Sequence, residues 1–258
     1  ERASHTGYIG NIYKGVVSRV LPGLQAAFID IGLERTAFLH ARDMVRHDPV
    51  ATGDVAPAEP LISNLLRPGD RLAVQVIKDP LGTKGARLTT NISIPSRFLV
   101  LLPDCDVVGI SVRIEEENER NRLKELVHTL RNDEDGHGYI VRTNAEGVND
   151  FALSADMVYL GKVWQSIQER TEDAAAATCI FEDLSLPTRA LRDMMHEEVD
   201  RVRIDSPQVL AKLRDFATRF VPDWLERIEE YSSERPIFDL FGVEDEIEHA
   251  LHPSVPLK

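Results

Sequence analysis

Residues Gly10 to His40 read GNIYKGVVSRVLPGLQAAFIDIGLERTAFLH, and they constrain the fold more than any other stretch. Three strand-like runs, Ile12 to Leu21, Leu24 to Ile31 and Arg35 to His40, are separated by turn chemistry. Proline pre-sets the first torsion of a tight turn and glycine accepts a positive one. Pro22-Gly23 is therefore expected to fold the first run back antiparallel on the second, and Gly32 to act similarly before the third. Strand side chains alternate between faces, so Ala27, Ile29 and Ile31 form the expected core face while Ala26, Phe28 and Asp30 share the other. In the third run Phe38 sits with Thr36 and His40, opposite Ala37 and Leu39. Two phenylalanines thus fall on polar faces, with Lys14, Arg19 and Arg35 nearby. Exposed rings beside cations on a small curved sheet offer π-faces to bases and charge to phosphates, which is what single-stranded nucleic acid requires. The competing reading is that sheet twist or a neighbour buries both rings, since single exposed apolar residues are common.

At 258 residues and 43% hydrophobic content the chain has room for two or three packed units. No apolar run approaches the ~20 residues of a membrane-spanning helix. The opening ERASHTG has no signal-peptide core, so neither membrane insertion nor export is expected and the expected location is the cytoplasm. Cys105 and Cys179 lie far apart and outside any Cys-x-x-Cys, so two buried, reduced thiols are expected rather than a metal knuckle or disulfide. A net charge of −13 weighs against a polyanionic partner only if the charge is evenly spread. Between Arg67 and Arg97 there are six bases (Arg67, Arg71, Lys78, Lys84, Arg87, Arg97) and two acids, whereas Glu182 to Lys258 holds eighteen acids and ten bases. Such segregation lets one surface attract phosphates while the whole stays acidic.

Ala41 to Leu66 has loop composition with a short helix expected at Leu61 to Leu66; Arg71 to Lys78 alternates, with Leu72, Val74 and Val76 on one face, and Ala86 to Ile92 is a fifth run. Three meander strands, a long loop and two further strands match a five-stranded oligonucleotide-binding barrel. Beyond it, strands are expected at Phe98 to Leu102, Val107 to Ile114 and Tyr139 to Thr143. Helices are expected at Glu115 to Leu130 and within Ala145 to Ala177, with a flexible turn over residues 133–138 between the sets. Arg142-Thr143 ends a strand, where an arginine can grip two phosphate oxygens, although a surface salt bridge is the commoner use of such a pair. From Leu186 onward the pattern gives helices at Pro187 to Met195, Gln208 to Phe220 and Gly242 to Leu251. Strands are expected at Val199 to Ile204, Ile228 to Tyr231 and Ile237 to Phe241, and the clustered acids read as solvated helix faces.

Four blocks, GNIYKGVVSRVLPGLQAAFIDIGLERTAFLH, QVIKDPLGTKGARLTTNISIPSRFLVLLP, GYIVRTNAEGV and RPIFDLFGVEDEIEHAL, together resemble the ribonuclease E/G family. The resemblance covers nearly the whole chain and departs mainly in the loop from about Met44 to Leu66. It implies an endoribonuclease of single-stranded RNA that prefers a 5′-monophosphate end and serves ribosomal RNA processing and messenger RNA decay. The implied fold is α+β and multidomain. Residues 8–90 would form the oligonucleotide-binding β-barrel, residues 91–183 a mixed α/β 5′-sensor domain, and residues 184–258 an incomplete ribonuclease-H-like α/β domain of which residues 1–7 are an N-terminal remnant.

Carried over position by position, the resemblance implies RNA contacts at Phe28, Phe38, Lys84 and, more weakly, Lys78. It implies a 5′-phosphate pocket at Arg142 and Thr143, beside Ser96 and Val100, with Arg113 assisting from a basic strand; Ser96 stands where the family often has glycine. A monophosphate presents three terminal oxygens, and a bulkier triphosphate is distinguishable by pocket size. Catalysis in the family rests on two aspartates that bind Mg²⁺, and a cysteine pair binds Zn²⁺ between the protomers of a homodimer; both are expected beyond Lys258. This chain is therefore expected to hold no metal, to bind RNA and to sense its 5′ end without cleaving. A non-catalytic RNA-binding regulator and a protein-interaction module are the alternatives from other classes.

Overall fold

The computed structural model describes residues 7–44, 61–103, 105–132, 136–195, 198–252 and 254. The long loop's residues 45–60, residues 1–6, residues 133–135 of the expected flexible turn and the last four positions fall outside them. The chain divides into two units, Glu1–Asp183 and Leu184–Lys258.

The first unit is built on β1 (Ile12–Leu21), whose ten residues pair with three strands. β2 (Ala26–Asp30) runs antiparallel along Val16–Leu21, and β3 (Ala37–His40) follows it. β4 (Arg71–Lys78) takes the other edge of β1 at Ile12–Val16, and β5 (Arg87–Thr89) joins β4 antiparallel to β3 in parallel. The circuit β1–β2–β3–β5–β4–β1 therefore closes, a five-strand barrel consistent with the oligonucleotide-binding kind. Val17, Ile29, Ile31, Leu39, Val74, Val76 and Leu88 fill it, and the short helix α1 (Ile62–Leu65) contributes Ile62 to the same core. At Gly15 a Cβ would stand 2.5 Å from Ile29 Cγ2, so the inside of the barrel at that point admits only glycine.

Two local expectations are corrected. Pro22–Leu24 is a 3₁₀ turn, and the positive torsion falls on Gln25 (φ 47°) rather than on Gly23. Gln25 is held there by its side chain, which donates to the Pro22 carbonyl at 2.7 Å and accepts from the Ile62 N–H at 2.9 Å. The second correction is a sixth strand, β10 (Thr178–Phe181), absent from the sequence expectation, which pairs with Ile12–Lys14. Because β4 occupies the opposite edge there, β10 lies end to end with β2 along one edge of β1. Their ends touch: a Cβ on Gly32 (φ 81°) would collide with the Ala177 carbonyl.

Between β5 and β10 the chain forms a four-stranded sheet in the order β6 (Ile94–Pro95), β7 (Leu99–Leu102), β9 (Gly138–Val141), β8 (Val108–Ile110). Leu99, Leu101, Tyr139 and Val141 are buried on one face, where α2 (Glu117–Leu130) and α3 (Asp150–Asp173) pack with Leu123, Val127, Leu153 and Leu160. Val100 and Ile140 pair on the other face. Gln75 of β4 ties this sheet to the barrel, its buried amide bonding Gly10 and Ser93 carbonyls and the Ser93 N–H at 2.9–3.0 Å. Lys14 does so from the other side: its Nζ donates to the Thr171 and Ala174 carbonyls at 2.8 and 2.9 Å, placing a cation on the negative end of α3. Glu119 and Arg122 of α2 clamp the loop before α3, Glu119 accepting from Arg122 and the Gly147 N–H (2.8 Å) while Arg122 donates to the Val148 carbonyl.

The second unit is a β–α–β arrangement. β11 (Val202–Ile204) and β12 (Ile228–Glu230) are parallel, joined through α5 (Pro207–Phe220), with α4 (Leu186–Met194) beside α5. Ile204, Leu210, Leu213, Phe216 and Ile228 make its core. Ile237–Leu240 is a helical turn, α6, not the expected strand, and α7 (Val243–Ala250) follows. Both cysteines are free and half-buried rather than buried, and desolvation pushes the Cys179 thiol up.

Two outcomes follow from these ties. Lys14→Met removes the cation from the end of α3 and is expected to cost about 1–2 kcal/mol, read by chemical denaturation. Hydrogen bonding from Arg122, then from Gly147, lowers the Glu119 carboxyl from 4.5 to about 2, so its contribution is present above the unfolded value and is lost as pH falls toward the folded one. Glu119→Gln should therefore melt below wild type at neutral pH, with the gap closing between pH 4.5 and 2.

Candidate nucleic-acid interface

Across the outside of the barrel one row of paired residues runs over five strands. Arg19 pairs with Phe28, Phe28 with Phe38, Phe38 with Arg87 and Arg87 with Lys78. Paired residues share a face, so the row presents two aromatic rings flanked by cations on both sides. Two register shifts create it. One skips Ser18, whose hydroxyl donates to the Phe28 carbonyl at 3.0 Å, and brings Arg19 opposite Phe28; the other skips Ile77 and brings Lys78 opposite Arg87. An inserted residue re-aims the side chain after it, which is how two cations reach positions that strict alternation gives to serine and isoleucine.

Phe28 and Phe38 are half-buried, with ring centroids 6.2 Å apart and planes at 70°, an edge-to-face pair. Neither ring enters the barrel core. His40 extends the aromatic strip, 6.4 Å from Phe38, and its Nδ1 accepts from the Arg42 N–H at 3.1 Å, which leaves the proton of the neutral ring on Nε2. Arg87 is gripped by Asp43 through Nε and Nη2 at 2.9 and 3.2 Å, which fixes its guanidinium at the edge of the strip. Lys78 is exposed at the end of β4, and Lys84 is exposed at the tip of the hairpin in which Leu81 and Lys84 exchange backbone bonds. That hairpin sits close to β3, because a Cβ on Gly85 would strike the Thr36 carbonyl and the Phe38 N–H donates to Ala86. Arg19, named from the sequence only as a nearby cation, and Arg87 join the row through strand pairing and a bulge, while Asp43 joins through its ion pair with Arg87 and His40 through its ring contact with Phe38.

The second group of expected residues gathers at one end of the four-stranded sheet. β7 starts where the antiparallel β9 ends, and β8, parallel to β9, ends there too. Arg142 and Thr143 follow β9, and the Arg142 N–H donates to the Phe98 carbonyl while Nη1 donates to the Ser96 carbonyl and, at 3.4 Å, to that of Arg97. Thr143 opens a 3₁₀ turn and is half-buried. Ser96 is buried, and its hydroxyl points inward to Asp156 Oδ2 at 2.5 Å. The Ser96 side chain is thus turned inward, and its backbone is already bonded, the N–H to the Leu99 carbonyl and the carbonyl to Arg142 Nη1. Val100 lies on the open face of the sheet, paired with Pro95 and Ile140. Arg113 is exposed in a turn after β8 rather than on a strand, and the Ser111 N–H of that turn donates to Val141, next to Arg142. Arg97 lies 4.9 Å over the Phe98 ring at the same end.

Among the described residues no three His, Cys, Asp or Glu side chains gather as a metal-binding group. No described helix is long and apolar enough to cross a membrane.

The pattern described as the Ribonuclease E/G family matches residues 93–258. Ribonuclease G of Escherichia coli K12 is 48% identical over 260 aligned residues, covering 100% of this chain and 53% of that protein. Ribonuclease G of Haemophilus influenzae is 45% identical, with 100% and 52% covered, and ribonuclease E of Nostoc sp. is 38% identical over 254 residues, with 96% and 36% covered. The chain thus spans about half the length of the curated ribonuclease G proteins it matches. Aligned from end to end with such relatives, and carrying the family's own pattern from residue 93 onward, the chain belongs to the ribonuclease E/G family.

Proposed function

We propose that this chain is the RNA-recognition portion of a single-strand-specific endoribonuclease that reads a 5′-monophosphate end. The observation that carries this reading is the row Arg19–Phe28–Phe38–Arg87–Lys78. Its two rings offer apolar faces to bases and its cations lie on either side, where a backbone crossing the strip places its phosphates. The relatives' names, ribonuclease G and ribonuclease E, supply RNA as the polymer. Arg142, anchored through Nη1 with Thr143 beside it, is the proposed ligand of the terminal phosphate, and the two sites would divide the work into holding the strand and reading its end. In this reading residues 91–183 act as the 5′ sensor, and residues 184–258 are a portion of a ribonuclease-H-like domain. Cleavage, with its Mg²⁺, is assigned to residues outside this chain, and so are the Zn²⁺ link and dimer formation.

Fluorescence anisotropy with short single-stranded RNAs ending in 5′-phosphate or 5′-hydroxyl tests both parts. Phe28→Ala and Phe38→Ala should each weaken both RNAs by about 10-fold, the size of one lost base stack. Arg142→Ala should weaken only the 5′-phosphorylated RNA. Binding should fall steeply with salt, as counterion release requires. Affinity unmoved by either phenylalanine substitution would dispose of the barrel reading, and equal affinity of wild type for the two ends would dispose of the sensor.

A further inference from the structure

Among the described residues Asp156 is the one acid that is buried, 8% exposed, about two turns into α3 beyond its Asn149 cap. A single oxygen of it, Oδ2, accepts from the Ser96 hydroxyl at 2.5 Å, the Phe98 N–H at 3.0 Å and the Leu99 N–H at 2.9 Å. The serine hydroxyl has one proton, and although the Leu99 carbonyl lies 2.9 Å from the same Oγ, the shorter contact to the charged oxygen is where that proton goes. Desolvation pushes the Asp156 carboxyl up, and the hydrogen bonds from Ser96 and from the Phe98, Leu99 and Arg97 N–H groups pull the other way.

A buried carboxylate is costly, and an apolar side chain would fill the same space without that cost. What the carboxylate adds is direction. It draws the N–H groups of Phe98 and Leu99 and the Ser96 hydroxyl inward, and the Ser96 and Arg97 carbonyls of the same turn accept from Arg142 Nη1. The two side chains thus hold one four-residue turn from opposite ends of its peptide dipoles. Guanidinium recognition of a phosphate depends on the plane and position of the fork, so whatever sets the turn sets the fork.

We propose that Asp156 is a positioning residue for the 5′-phosphate site: by fixing the Ser96–Leu99 turn it orients Arg142 toward the terminal phosphate. The inference rests on the reading of Arg142 as the phosphate ligand. Asp156 touches no RNA, so its substitution should leave the affinity for 5′-hydroxyl RNA unchanged and act on end discrimination alone.

The test measures the ratio of dissociation constants for 5′-hydroxyl and 5′-phosphate RNA in the 258-residue chain, for wild type, Asp156→Asn, Ser96→Ala and Arg142→Ala. Asp156→Asn keeps the shape but replaces a charged acceptor by a neutral one. It should lower the ratio by about 10-fold, the size of one misplaced charge-assisted bond, with 5′-hydroxyl affinity near wild type. Ser96→Ala should move the ratio in the same direction by less. A folded Asp156→Asn with an unchanged ratio, while Arg142→Ala collapses it, would overturn the positioning role and leave the sensor intact. An unchanged ratio in Arg142→Ala would remove the sensor and this inference with it. Should Asp156→Asn not fold, Ser96→Ala decides alone, and a wild-type ratio there overturns the proposal.

Discussion

The architecture of the first unit depends on β1 being paired along both edges at once. Its first half is held by β4 on one side and β10 on the other, its second half by β2, and Gly15 sits where the interior leaves no room for a side chain. Closing a short sheet requires strong curvature, and a glycine and two register shifts supply it. Those shifts also move Arg19 and Lys78 onto the aromatic row. Closure and binding face therefore share a cause: the irregularities that let five strands meet also set the order of cation, ring, ring, cation, cation on the outside.

The four-stranded sheet shows a different economy of parts. Its buried face is ordinary, Leu99, Leu101 and Val141 against two helices, and its chemistry is confined to one end. There an arginine and a carboxylate address the same turn without meeting each other. Gly147 and Val148, a few residues on, are clamped by Glu119 and Arg122. Thr143 is thus bracketed by two tied segments, a common way for a loop to present polar groups in fixed positions.

Regular features were legible in the sequence because they depend on local pattern. β1 and β4 fall where alternation places them, and Ala27, Ile29, Ile31, Val74 and Val76 are core as their parity requires. The rings of Phe28 and Phe38 were legible as outward-facing for the same reason. Arg87 and Lys78 could be counted as charge but not placed beside Phe38, since a bulge leaves no mark in composition. Gln25 adopts a torsion that residue preference assigns to Gly23, because the Ile62 N–H and the Pro22 carbonyl both bond its amide, and Ile62 lies far along the chain. Ile237–Leu240 has the apolar look of a strand, yet it has no strand partner and curls into a helical turn. Asp156 reads as one more acid on a helix; only the arrival of the Ser96–Leu99 turn makes it a hub.

β10 carries a consequence for how the molecule comes into being. Five barrel strands are complete by Thr89, but the partner for Ile12–Lys14 begins at Thr178, and the carbonyls that receive Lys14 lie just before it. During synthesis at about 5–20 residues per second, an open β-edge would wait on the order of 10 s for its cover. A nascent chain is exposed to mispairing through that interval, so the ribosome's pace over residues 90–177 bears on yield, and rare codons in that window would lengthen the risk.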